Sequence, residues 1–261
     1  MKYNFICLII LSLVLSCEKS EVIDVLLEEK EHSEILAALI NAYEKNSADS
    51  LKLILDSWSR ENQSKSSVSL IDDTHRDVYK IYQEFYTPLD LSRIGDSEWG
   101  PGIYQDVGYV IIQNHIFFDY NYDAEVYNVE ETDTIWDFRP EITFDNVKTL
   151  YLTDNYAIAI NEFLGTEFNP LGTGGVMNPA SPTEESWVRW QFLNQFIYIV
   201  PGHWGGYWHI ETHPEAHVIH FNPQRTKARL HFRLIYQGGE AEFQKSGNTW
   251  QMVSSKLTWI E

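Results

Sequence analysis

The sequence predicts an α+β fold, with N-terminal helices packed against a largely antiparallel sheet formed mainly by the C-terminal half. Three observations carry this. Apolar residues recur at three- and four-residue spacing in segments before residue 87. After residue 215, turn formers separate runs rich in β-branched and aromatic residues. In one such run Ala228, Leu230, Phe232, Leu234 and Tyr236 alternate with Lys227, Arg229, His231 and Arg233, the pattern of a half-buried antiparallel strand.

The first helix is read from Ile35, Leu36, Leu39, Ile40 and Tyr43, with Ser33 as its N-cap. A second runs from Ser47 or Asp49 to Ser59, with Leu51, Leu53, Ile54, Leu55 and Trp58 as its apolar residues. Residues 60–69 are a loop by composition. Asp72 and Asp73 open a third helix carrying Val78, Ile81, Tyr82, Phe85 and Tyr86. Thr87-Pro88 ends it, because the residue before proline avoids the helical region.

Residues 109–118 read as one strand and 119–133 as an acidic, Tyr-rich loop. Residues 142–144 and 147–152 are candidate short strands. Residues 154–164 form a helix closed by Gly165, 166–182 a long loop, and Thr183-Glu184-Glu185 the start of another helix. Residues 196–200 read as a strand. The closing strands are 216–221, 226–236, 240–245 and 249–260. Turns are expected at Asn222-Pro223, Gln237-Gly238-Gly239 and Ser246-Gly247-Asn248. These elements make one α+β domain over 32–261.

The formal charge of the chain is -19. That argues against nucleic-acid binding, which needs a basic face for the phosphates. It also argues against a body lying flat on an anionic bilayer. The nine Trp and fifteen Tyr suit a large core, and also stacking on flat ligands.

At the N-terminus, Lys2 precedes an apolar run from Phe5 to Leu15, too short to cross a bilayer, and Val14-Leu15-Ser16-Cys17 follows. This resembles the lipobox of bacterial lipoproteins. The resemblance implies a signal peptide over 1–16, cleavage before Cys17, and acylation of Cys17, the palmitate-bearing residue. It also implies a tether over 17–31 and an extracytoplasmic body in the cell envelope, lipid-anchored to a bacterial membrane. Two cysteines are present, Cys7 and Cys17, so the mature body has neither a thiol nucleophile nor a Cys-ligated zinc. Separately, residues 228–236, Gly239-Glu240-Ala241-Glu242-Phe243 and 250–260 resemble the closing strands of the nuclear-transport-factor-2-like α+β cone. That likeness implies early helices on a curved sheet with a pocket on its concave face.

Six of the nine histidines lie between His203 and His231. His209, Glu211 and His213 stand at i, i+2 and i+4, which puts them on one face of a strand. Imidazole with carboxylate suits zinc or a similar divalent ion. His217, His220 and His231 are placed on neighbouring strands. The arrangement is not the helical HExxH motif. Trp204, Tyr207 and Trp208 surround Gly205-Gly206 and form a candidate ligand-stacking loop or an aromatic plug. No GxSxG elbow or lysine-bearing phosphate loop is present. The leading expectation is an envelope lipoprotein that binds a ligand or partner through this aromatic and histidine-rich region. A metal-dependent envelope hydrolase and a purely structural envelope protein are the alternatives.

Overall fold

The computed structural model describes residues 30–70, 72–94, 103–104, 106–123, 129–166, 182–202 and 208–260. Cys17, the signal segment, Trp204 and Tyr207 lie outside the described residues. Five helices occur among the described residues: α1 (His32–Glu44), α2 (Ala48–Glu61), α3 (Asp73–Phe85), α4 (Asp154–Phe163) and α5 (Glu184–Leu193). The strands are β1 (Tyr109–Gln113), β2 (His115–Asp119), β3 (Asp133–Trp136), β4 (Lys148–Leu152), β5 (Val200–Pro201), β6 (Trp208–His209), β7 (Glu215–Phe221), β8 (Lys227–Leu234), β9 (Gln237–Ser246) and β10 (Thr249–Ile260). The fold is α+β, as the sequence predicts.

The main sheet has the order β10-β9-β8-β7-β2-β3, antiparallel throughout except where β2 runs parallel to β7. β1 and β4 form a separate parallel pair, and β5 pairs with β6. Two cores result. On the sheet side, α3 covers one face of the main sheet through Val78, Ile81, Tyr82 and Phe85, which meet Leu230, Phe232, Ala241 and Phe243. On the helical side, α1, α2, α4 and α5 enclose Ile35, Leu39, Leu55, Trp58, Tyr156, Phe163 and Phe192. The β1–β4 pair divides them. Tyr109, Ile111, Leu150 and Leu152 face the helical core, whereas Ile112 and Tyr151 face the sheet core. A strand covered on both faces is apolar at every position, so β1 reads YVIIQ and is buried along its whole length.

Local chemistry sets the helix starts. Ser47, Asp72 and Thr183 accept from the backbone N–H groups of Ser50, His75 and Ser186, and Ser186 completes a capping box with Thr183. Gly165 takes φ +73° just after α4, the left-handed stop that glycine permits.

Several boundaries differ from expectation. α1 begins at His32, and its N-cap is Glu31 without a side-chain cap bond; the Glu31 carbonyl already receives the Glu34 and Ile35 N–H groups, which leaves Ser33 inside the first turn. The expected single strand over 109–118 is broken at Asn114, whose carbonyl accepts from Phe138, and its halves enter different sheets. The expected loop over 119–133 contains a 3-10 turn at Val129–Glu131 and leads into β3, an edge strand. Residues 142–144 contribute only a bridge from Phe144 to Val147, and 196–200 only Val200 to β5.

A further difference is at the β8–β9 turn, which falls on Ile235 and Tyr236 rather than on the following glycines. Gly238 and Gly239 are inside β9. A Cβ at Gly239 would lie 2.3 Å from the Lys256 carbonyl oxygen and 2.6 Å from the Phe232 ring; one at Gly238 would lie 1.9 Å from the Trp259 indole. These glycines serve close packing, not chain reversal.

Candidate metal centre

The centre lies where the chain passes from one core to the other. Trp208 and Ile210 belong to the helical core, and Ala216 to the sheet core. Hydrogen bonds fix the backbone between them. The Thr212 N–H donates to the Ile111 carbonyl at 2.8 Å, and the Ile111 N–H donates to the Thr212 hydroxyl at 2.9 Å. The Tyr86 hydroxyl donates to the Thr212 carbonyl at 3.1 Å. The Gln113 side-chain amide then takes both backbone groups of Ala216, at 2.6 and 2.9 Å. His213 is thereby held between two anchored neighbours and is fully buried.

His209, His213 and Glu215 each offer a ligand atom, and all three atoms lie within 4.8 Å of one another. They are the one group of three or more such residues among the described residues. The His209 and His213 rings are 5.2 Å apart, centroid to centroid. Their proximity follows the i, i+4 spacing in the sequence. The carboxylate is a correction: Glu215 joins the histidines and Glu211 does not. β6 ends at His209, so the period-two alternation that would carry Glu211 onto the same face stops there. Alternation resumes at Glu215, the first residue of β7.

The environment of His213 suits a ligand. Its Nδ1 lies 3.1 Å from the Tyr104 hydroxyl, which also accepts from the His213 backbone N–H at 3.2 Å. Its Nε2 is buried with no hydrogen-bond partner among the described residues. With the proton on Nδ1 and directed at Tyr104, Nε2 presents a lone pair. Burial first, and the neighbouring His209 ring second, hold the His213 pKa well below the usual imidazole range, so the ring is neutral at pH 7.

The two carboxylates diverge. Burial, then the Glu215 charge, pushes Glu211 up to about 8, so it is protonated at neutral pH. Burial acts upward on Glu215 as well. The His217 ring, with Nε2 3.7 Å from the carboxylate, and the His213 and His209 rings outweigh it and hold Glu215 ionised. An ionised carboxylate beside two imidazoles is a donor set of the two-nitrogen, one-oxygen type.

Of the aromatic residues singled out in the sequence, Trp208 is buried between Trp187 and Trp190, with ring centroids at 5.1 and 6.2 Å. Trp190 continues to Tyr198 and Tyr198 to Tyr104, so an aromatic chain ends on His213. His217 and His220 lie on β7 and His231 on β8, which are neighbours, as the strand reading places them. Two residues were missed. The His213-x-Glu215 spacing was a readable signal for Glu215. Tyr104 is separated from His213 by 109 positions and carries no local signal.

No protein-family model matches the chain, and no curated protein or solved structure matches it. No helix among the described residues is long and apolar enough to cross a membrane.

Proposed function

We propose that this chain is the body of a lipid-anchored envelope protein that binds a divalent transition-metal ion, zinc foremost, through His209, His213 and Glu215, and captures a ligand at the ion. The observation that carries the reading is the convergence of three ligand atoms within 4.8 Å. Tetrahedral zinc with Zn–N near 2.0 Å puts ligand atoms roughly 3.4 Å apart, so small side-chain rotations close the group. Three protein ligands leave one position for an outside donor. Metal-dependent hydrolysis is the second reading. It is favoured by Glu211, whose carboxyl burial and the Glu215 charge keep protonated at neutral pH, as a proton donor requires.

The test is metal content and affinity. The purified chain is expected to hold about one zinc equivalent. His213→Ala and Glu215→Gln are expected to weaken binding about 10- to 100-fold or more while the circular dichroism spectrum is retained. Zinc uptake unchanged in both variants would end the reading. The anchor is tested separately: Cys17→Ala is expected to move the chain from the membrane fraction to the soluble fraction.

A further inference from the structure

A second histidine pair lies outside the group just described. His220 is fully buried on β7, and its Nδ1 is 2.7 Å from Asp119 Oδ1 on β2. His231 stands diagonally opposite on β8; the register pairs Val218 with His231 and His220 with Arg229. The two rings are perpendicular, with centroids 5.1 Å apart. The Nε2 atoms of both rings are buried and have no hydrogen-bond partner among the described residues.

We propose that His220 and His231 form a second metal site, which takes a monovalent imidazole-binding ion, Cu+, between their Nε2 atoms, with Asp119 as the residue that positions His220. The Asp119 carboxylate fixes the His220 proton on Nδ1 and leaves the Nε2 lone pair outward, the arrangement found behind metal-ligating histidines. Imidazole nitrogen suits copper. Two nitrogens without a third ligand match the low coordination number of Cu+ rather than the four of zinc.

Charge selects the same ion. Glu240, across from His231, is paired with Arg229 at 3.2 Å and Lys256 at 2.7 Å, and Arg229 also pairs with Glu242 at 3.4 Å, so these two cations and two carboxylates balance. Among the described residues, Asp119 accepts otherwise from the Asn121 backbone N–H and faces no Lys or Arg. One negative charge is therefore free to balance one positive charge, and a buried dication would stay uncompensated beside Arg229. This site is independent of the zinc reading.

The experiment is anaerobic titration of the full chain with Cu+ against a chromogenic Cu+ chelator, together with Ag+ titration followed by the histidine ring signals in NMR. Silver has the same charge and no redox chemistry. One Cu+ equivalent is expected to be withheld from the chelator, and Ag+ is expected to shift the His220 and His231 ring protons in the unmodified chain. His231→Phe and His220→Gln are each expected to weaken Cu+ retention about 100-fold, and His213→Ala to leave it unchanged. Unmoved ring signals, no withheld ion, or retention that survives His231→Phe would overturn the proposal. Retention lost in His213→Ala alone would assign the ion to the first centre and overturn it equally.

Discussion

On the helical side the buried charge is Glu61, and each of its oxygens is used: Lys30 and Ser57 bond one at 2.8 and 2.7 Å, and Tyr156 bonds the other at 2.6 Å. On the sheet side Asp77 is treated alike, bonded by Lys245 and by the Trp250 indole. The imidazoles between and behind the cores are treated differently. His213, His220 and His231 each keep a buried, unpartnered Nε2. The contrast separates two uses of buried polarity. A carboxylate with all its partners in place ties elements together, α2 to α4 through Glu61 and α3 to β9 and β10 through Asp77. His213 and His220, each fixed at Nδ1 by Tyr104 or Asp119 and open at Nε2, are arranged for something not supplied by the chain.

The strongest way to break the comparison is to ask whether the two cores are one unit. Trp58 is buried in the helical core, stacked on Tyr156 at 4.1 Å, yet its indole N–H donates to the Tyr151 carbonyl on β4, the strand shared by both cores. Trp58→Ala is expected to cost about 3–5 kcal/mol. Because β1 and β4 are faced by both cores, hydrogen exchange is expected to rise in β8 and β9 as well as in α2 and α4. Protection lost from the helices alone would show two independently stable halves.

A smaller effect is expected inside the sheet. Gly239→Ala drives a methyl group against backbone, the Lys256 carbonyl, and is expected to cost about 1–3 kcal/mol in a denaturant titration. Gly238→Ala meets the Trp259 indole, which is 45% exposed and can swing outward. Its cost is expected to be the lower of the two. Equal costs would show that Trp259 is held as firmly as the backbone.

How much was legible follows from the same physics. Helical periodicity and cap residues are local, so Ser47, Asp72 and Thr183 could be placed from sequence. Strand alternation located β7 to β10 but not the break at Asn114, because β1 and β2 are apolar on both sides of it. Gly238-Gly239 looked like a turn since glycine favours turns and close packing alike; only the Trp259 and Phe232 contacts decide between them. For the site, the histidine spacing was readable and the choice of Glu215 over Glu211 depended on where β6 ends. Tyr104, Thr212 with Ile111, and Gln113 with Ala216 are long-range contacts with no sequence signature.

Acid is expected to distinguish the two kinds of buried group. Burial and neighbouring rings lower His213, and lower His231 to about 4, below the ordinary 6.5. The unfolded chain takes up these protons first, so stability present above pH 6.5 declines as pH falls from there, by roughly 1.4 kcal/mol per group per pH unit at most, and Glu211, raised to about 8, offsets one such group down to pH 4.5. Burial acts upward on Glu61, but the Lys30, Tyr156 and Ser57 bonds outweigh it and lower its pKa. Its contribution is present above the unfolded value of 4.5 and declines only below that pH. Unfolding free energy measured against pH is expected to fall in two stages, and His231→Phe to flatten the first. A single stage beginning below pH 4.5 would show that the histidines carry no cost of burial.

The smallest test compares matched caps on the two sides. Ser47 caps α2 in the helical core and Asp72 caps α3 in the sheet core, each accepting the N–H three residues on, at 3.1 and 2.8 Å. Replacing either with Ala leaves one first-turn N–H without its acceptor and is expected to cost about 1 kcal/mol. Asp72 also places a negative charge at the positive end of α3, so Asp72→Ala is expected to cost a few tenths of a kcal/mol more at low ionic strength, and the excess to vanish in salt. Local hydrogen exchange in the first turn of each helix gives the readout. If Ser47→Ala accelerates only α2 and Asp72→Ala only α3, while both lower the global midpoint together, the helices fray separately within one cooperative fold. If each variant lowers protection throughout its own core and not the other, the seam at β1 and β4 is a boundary rather than a joint.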